Sequence, residues 1–319
     1  MSELLAIQNL TVEYPVGGGR HVHAVSDVTL SVKQGETLGL VGESGSGKSS
    51  LARALLQLPP PKGGTVVFDG QDLTKMGGKA LRAVRPRLQM IFQDPIASLN
   101  PRRKVAEIIA EPLIVSGVSD AAERTRRVRS VMEAVGLDPD LVWNRRPHEF
   151  SGGQCQRIAI ARALVLEPSL IVCDEPVSAL DVSIRAQIIN LLEDMKARFG
   201  LTLLFIAHDL AVVKSVSDRV AVMYLGRLCE VADSESLFAT PAHPYTAALM
   251  AAIPEPDPDI PLGDSKLKPG DPPSPLDPPS GCRFRTRCPH AQPRCTSEVP
   301  PLRQIAAGRE VACHFPLIG

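Results

Sequence analysis

The sequence predicts an α/β fold: a mostly parallel sheet with helices, a helical insert, and a proline-rich, cysteine-containing extension at the end. Three observations carry that expectation. Short apolar runs alternate with helix-period segments through 37–58 and again through 153–231. The string Gly42-Glu43-Ser44-Gly45-Ser46-Gly47-Lys48-Ser49 sits between one apolar run and one helical segment. A second apolar run, 170–173, ends in the paired carboxylates Asp174 and Glu175.

The elements follow in order. Apolar alternation over 4–14 and 25–32 reads as two strands, joined through Gly17-Gly18-Gly19. That glycine run has no helix pattern after it, so it reads as a hairpin loop rather than a phosphate loop. Residues 37–41 form a short buried strand and 49–58 a helix, with further strands at 66–69 and 88–92. From about 96 to 150 the pattern turns helical and more charged, which marks an inserted subdomain. Alternation then resumes: helix 153–167, strand 170–173, helix 184–198, strand 202–207, strands 220–224 and 228–231. The main domain is thus expected over 1–240 and the extension over 241–319. Seventeen of the 29 prolines lie in that extension, ten of them between Pro254 and Pro279. Proline removes backbone donors, so this stretch reads as a strap rather than as part of a sheet.

Composition narrows the function classes. The chain has 319 residues, is 44% hydrophobic and carries a formal net charge of zero. That balance gives no field favouring nucleic acid or an anionic membrane. No apolar run approaches the ~20 residues of a spanning helix. Met1-Ser2-Glu3-Leu4-Leu5 lacks the basic and apolar regions of a signal peptide, so the expected location is cytoplasmic.

The string 42–49 fits Gly-x4-Gly-Lys-Ser in its expected strand–loop–helix context. Gly42, Gly45 and Gly47 let backbone N–H groups converge on phosphate oxygens, and the helix N-terminus adds partial positive charge. Lys48 is expected on the β- and γ-phosphates and Ser49 on Mg²⁺, with Ser44, Ser46 and Ser50 completing the cradle. At the end of strand 170–173, Asp174 can hold hydrated Mg²⁺ and Glu175 can polarise an attacking water. Gln93, after strand 88–92, can ligate Mg²⁺ or hold water. His208, after strand 202–207, can reach the γ-phosphate, or be structural. Tyr14 can stack on adenine, or be a core aromatic. Ser151-Gly152-Gly153-Gln154 opens a helix and permits close approach of an anion. In a chain that already has one phosphate loop, this second site makes best sense closing over another subunit's nucleotide. The alternative is a simple helix cap.

Seven cysteines divide into two groups. Cys155, Cys173 and Cys229 are scattered and read as small buried hydrophobes. Cys282, Cys288, Cys295 and Cys313 crowd the last forty residues of the chain. A disulfide framework does not suit a reducing cytosol. The spacing is not the paired Cys-x2-Cys of zinc ribbons, but four thiolates in a segment without its own core suit a [4Fe–4S] cluster or Zn²⁺, with His290 and His314 as substitute ligands; the alternative is a segment without metal.

Taken together, these motifs resemble the nucleotide-binding subunits of ABC transporters over about 1–240. Residues 42–49 resemble the Walker A motif, 151–154 the signature, and 170–175 the Walker B strand with its catalytic Glu. Gln93 resembles the Q-loop, Ser178-Ala179-Leu180-Asp181 the D-loop, and His208 the switch histidine. The strings from Phe92 to Pro101, His148-Glu149-Phe150, and Asp174 to Ser183 are similar to oligopeptide and dipeptide importers, in the form of their F-type subunit. His243-Pro244-Tyr245, Gly281-Cys282-Arg283-Phe284 and Val311-Ala312-Cys313-His314 resemble that subfamily's C-terminal region, and the resemblance implies a [4Fe–4S] cluster on the four cysteines. Thr286 departs from it, standing where the family often has Pro.

The resemblance implies a P-loop NTPase core of RecA-like form, with a β-subdomain and the helical insert. It implies an ATPase that uses ATP and Mg²⁺. Two cassettes would sandwich ATP head to tail, with Ser151–Gln154 and Asp181 acting across the dimer. Implied partners are a second ATPase subunit (a D-type companion or an identical chain), two transmembrane permeases and, indirectly, an extracytoplasmic peptide-binding protein. The chain would then sit at the cytoplasmic face of the membrane. Rival readings are the same machinery importing nickel, an opine or another small solute, a soluble ABC ATPase of DNA repair or translation, and a metal-sensing subunit with a dead site.

Overall fold

A computed structural model of the chain describes residues 2–252 and 272–318. The part of the expected proline strap that falls at 254–271 lies outside the described residues. In chain order the strands are β1 (Glu3–Pro15), β2 (His21–Lys33), β3 (Thr37–Val41), β4 (Gly63–Phe68), β5 (Gln71–Asp72) and β6 (Leu88–Ile91). They continue with β7 (Leu170–Asp174), β8 (Thr202–Ile206), β9 (Arg219–Tyr224), β10 (Arg227–Asp233), β11 (Arg303–Ala306) and β12 (Arg309–Val311). The chain divides into two compact units. One comprises Met1–Ser2, Lys33–Glu36 and Lys75–Phe205; the other comprises Glu3–Val32, Thr37–Thr74 and Ile206–Gly319.

The second of these holds the phosphate loop. Its antiparallel sheet runs β2-β1-β4-β5. In β1 the alternating buried positions are Leu5 and Ile7, with Leu4 buried beside them at the strand's start, then Leu10 and Val12. The parity flips because the β1–β4 register shifts between Gln8 and Thr11, around Asn9 at φ 49°. One extra residue lets both halves of a long strand face the same core. Five strands of this unit, part of a larger sheet, run in the order β3-β9-β10-β12-β11. Here β3 and β9 are parallel, and β9 and β10 form a hairpin. The hairpin turns at Leu225 and Gly226, both at positive φ, which matches the twist of the strands.

The extension corrects one expectation from the sequence. It was expected to be a strap without strands, yet β12 pairs antiparallel with β10 (Glu230↔Val311) and β11 with β12. The two strands are four and three residues long, too short to stand out among prolines, and Gly308 at φ 70° makes the turn between them. The buried carboxylate of Glu230 anchors the extension's start. It accepts hydrogen bonds from the backbone N–H of Ala242 (3.0 and 3.1 Å) and His243 (2.9 Å), and lies 3.5 Å from Arg309 Nε.

The other unit carries strands in the order β8-β7-β6, with β6 and β7 parallel. Strands β7 and β8 are buried along their whole length, as expected of central strands in a parallel sheet. Helices Val105–Val115, Ala121–Ala134 and Gly152–Leu164 bury Ile108, Ile109, Val131, Met132 and Ile158. Among the described residues, no helix is long and apolar enough to cross a membrane.

Candidate active site

The phosphate loop joins buried β3 to the helix Lys48–Leu55. Its glycines are steric requirements. A Cβ on Gly47, at φ +104°, would lie 2.1 Å from Ala24 O, and one on Gly42 would lie 2.1 Å from Met223 O. Lys48 is buried, and its Nζ donates to Gly42 O (2.7 Å), Glu43 O (3.0 Å) and Ser46 Oγ (3.4 Å). Ser44 and Gly45 are exposed at the tip, while Ser49 and Ser50 stand half-buried on the first helical turn. In the same unit Tyr14 is half-buried near the end of β1. His208 is exposed just past β8, next to Asp209, whose carboxylate caps the following helix.

Three residues that the sequence does not connect with the loop touch it. The Glu43 backbone N–H donates to the Tyr245 hydroxyl (2.9 Å). The Glu43 carboxylate accepts from Arg287 Nη1 at 3.0 and 2.8 Å. Gly226 N–H donates to Ser46 O (2.8 Å). Tyr245 stands in a string that marks the C-terminal region, but nothing in the sequence ties it or Arg287 to the loop, because they lie about two hundred residues and more away.

In the other unit, Asp174 is buried at the end of β7 and Glu175 follows at φ 48°. A non-glycine residue in the left-handed region is uncommon, and such positions cluster at functional sites. Gln93 Nε2 donates to Glu175 Oε2 at 2.9 Å, so these two expected residues do meet. Ser178 Oγ donates to Glu175 O (3.1 Å), which ties the next turn to the carboxylate's backbone. Asp181 is the N-cap residue of helix Val182–Phe199 but makes no side-chain cap bond.

Ser151 caps helix Gly152–Leu164. Its Oγ accepts from Gln154 N–H (3.4 Å), and Gln154 Oε1 accepts from Ser151 N–H (3.0 Å). This reciprocal box satisfies two orphan amides. Gly153 has a packing role as well, because a Cβ there would lie 2.5 Å from Ile184 Cγ2.

Cys155, Cys173 and Cys229 are buried, and burial pushes the Cys173 thiol up to about 12. The thiols of Cys282, Cys288, Cys295 and Cys313 line one small cavity with His243 and Phe284. Burial and then the neighbouring thiols raise Cys313 to about 11. His243 is buried there and driven down to about 4 by desolvation, so it is neutral, and its Nδ1 accepts from Tyr245 N–H. As placed, however, no group of three or more His, Cys, Asp or Glu among the described residues could hold a metal ion. The sequence brings the thiols to one place, but they do not form the expected coordination group.

Comparison with known proteins fits this geometry. The ABC transporter family profile matches residues 25–178, and the profile of the oligopeptide/dipeptide transporter C-terminal region matches 229–295. The oligopeptide transport ATP-binding protein OppF of Escherichia coli is 53% identical over 309 residues, covering 94% of this chain and 92% of that one. OppF of Salmonella typhimurium is 53% identical with the same coverage. A dimeric post-hydrolysis structure of the ATP-binding cassette MJ0796 with ADP and Pi superposes with a TM-score of 0.66 at 29% identity. It covers 72% of this chain and 98% of that one. This chain therefore belongs to the ATP-binding subunits of ABC transporters, in the group that carries the oligopeptide/dipeptide transporter C-terminal region.

Proposed function

We propose that this chain is the ATP-hydrolysing subunit that powers import of di- and oligopeptides through a membrane ABC transporter. The near-full-length likeness to OppF, extension included, carries this reading. It favours this reading over a soluble repair or translation ATPase. The phosphate loop with Lys48 and Ser49 binds ATP and Mg²⁺. Asp174 and Gln93 hold the ion and water, Glu175 acts as general base, and His208 acts at the γ-phosphate. Tyr14 stacks on adenine. Ser151–Gln154 and Asp181 complete the nucleotide site of a second ATPase subunit, either a D-type companion or an identical chain. Two permeases seat the pair on the cytoplasmic face of the membrane, and a peptide-binding protein feeds them from outside.

The test is reconstitution with the permeases in vesicles. ATP-dependent peptide uptake that disappears in Glu175→Gln is expected; uptake of nickel or an opine in place of peptide would overturn the cargo.

We infer as a second reading that Cys282, Cys288, Cys295 and Cys313 hold a [4Fe–4S] cluster. Convergence of four thiols on one cavity supports it. Anaerobically purified protein is expected to contain iron and sulfide and to absorb near 400 nm. Stoichiometric zinc, or no metal at all, would replace this reading.

A further inference from the structure

The phosphate loop carries a negative charge of its own. Glu43 follows Gly42 directly, within the backbone that is to cradle a polyanion. An uncompensated carboxylate there opposes ATP binding. The compensating charge comes from the extension. Arg287 Nη1 reaches both Glu43 oxygens, at 3.0 and 2.8 Å, with the two side chains only 12% and 27% exposed. Burial works against the Arg287 charge, but its hydrogen bonds to the Glu43 carboxylate offset that cost. Its guanidinium also lies 5.9 Å from the Tyr224 ring centroid.

Arg287 is one part of a larger brace. Tyr245 accepts the Glu43 N–H, and its ring packs on Tyr224 (4.6 Å between centroids) and Phe284 (5.3 Å). Arg283, four residues before Arg287, donates to Leu225 O and to Ser26 Oγ (2.9 Å). Leu225 belongs to the β9–β10 turn, and the next residue, Gly226, donates to Ser46 O. Two arginines of one short segment thus reach the loop at two points, Glu43 directly and Ser46 through the turn. Phe284 between them is 1% exposed, which fixes the segment's register.

We propose that residues 283–287, with Tyr245, are positioning residues of the ATP site: Arg287 neutralises the Glu43 carboxylate and holds the loop, so nucleotide affinity depends on the extension. This inference rests on the reading of residues 42–49 as the ATP site. The contacts are made to the loop and not to reacting groups, so the effect falls on ATP binding (and KM) far more than on kcat.

The test is a double-mutant cycle in the full-length chain, read by equilibrium binding of a fluorescent ATP analogue with Mg²⁺. Arg287→Met is expected to weaken binding about tenfold, because it strands a part-buried carboxylate beside the phosphates. Glu43→Gln in the Arg287→Met background is expected to recover most of the loss, whereas a purely structural role for Arg287 predicts no recovery. Glu43→Gln alone is expected to bind at least as tightly as the parent, because it removes a negative charge from the loop while Arg287 keeps its own. Normal binding by Arg287→Met, or a double variant as weak as the single one, overturns the proposal. Should Arg287→Met not fold, Arg287→Lys takes its place in the same cycle, with a smaller loss and the same required recovery. Lys48→Ala separates the two readings. If it binds nucleotide normally, the ATP site itself is misassigned; if it loses binding while the Arg287 variants do not, only the present inference fails.

Discussion

Residue by residue, the chemistry rests on a few side chains held in costly conformations. Glu175 sits at φ 48°, against Gln93 Nε2. As the proposed general base, it sets a clear expectation for Glu175→Gln: retained ATP binding with hydrolysis slower by roughly 10²–10⁴-fold. Near-normal single-turnover hydrolysis would remove Glu175 from that role. The loop glycines can be ranked in the same way. Gly45 has φ +76° but nothing within 4 Å of its would-be Cβ, whereas Gly47 meets a carbonyl. Gly47→Ala is therefore expected to cost about 1–3 kcal/mol more in urea unfolding than Gly45→Ala. Equal midpoints would show that the loop yields without strain. The motif residues were legible because local spacing encodes them. Glu43 was part of the string but carried no signal of its own, since the meaning of its charge comes from Arg287, 244 residues further on. Gly153 likewise reads as an anion contact in sequence, while in the fold it also makes room for Ile184.

The strands show how far periodicity reaches. Alternation marks both halves of β1, but the parity change at Asn9 can be assigned to a bulge only once β4 lies beside it. Apolar runs mark β7 and β8 plainly, because strands covered on both faces need no polar alternation. Strands β11 and β12 escape notice because three or four residues give too short a period to read, and prolines flank them. What attaches them is a buried charge. Glu230 is fully buried and serves two backbone amides and Arg309 at once. Glu230→Ala would leave both amides without their acceptor and the buried Arg309 guanidinium without its counter-charge, and is expected to destabilise the protein by about 3–5 kcal/mol. Limited proteolysis should then cut first in the extension. Wild-type resistance there would mean that the aromatic cluster of Tyr224, Tyr245 and Phe284 suffices to hold it.

For the whole molecule, the division of labour between units is the central fact. One unit carries the phosphate loop, His208 and the extension; the other carries Gln93, Asp174, Glu175 and the capped helix at Ser151. A helix N-terminus satisfied by its own Ser151–Gln154 box still presents Gly152 and Gly153 amides and a positive dipole. If that end serves a neighbour's nucleotide, association and catalysis are one event. In the Glu175→Gln background, where ATP persists, the chain or its pair with a companion ATPase is expected to form an ATP-dependent dimer, seen by light scattering as about a doubling of mass. Ser151→Arg in that background should abolish the dimer, because its side chain would occupy the space of the incoming phosphates. Each separate chain should still bind ATP as before. Loss of ATP binding by the isolated Ser151→Arg chain would place this helix end at its own chain's nucleotide. Dimers that survive the substitution would remove it from the interface.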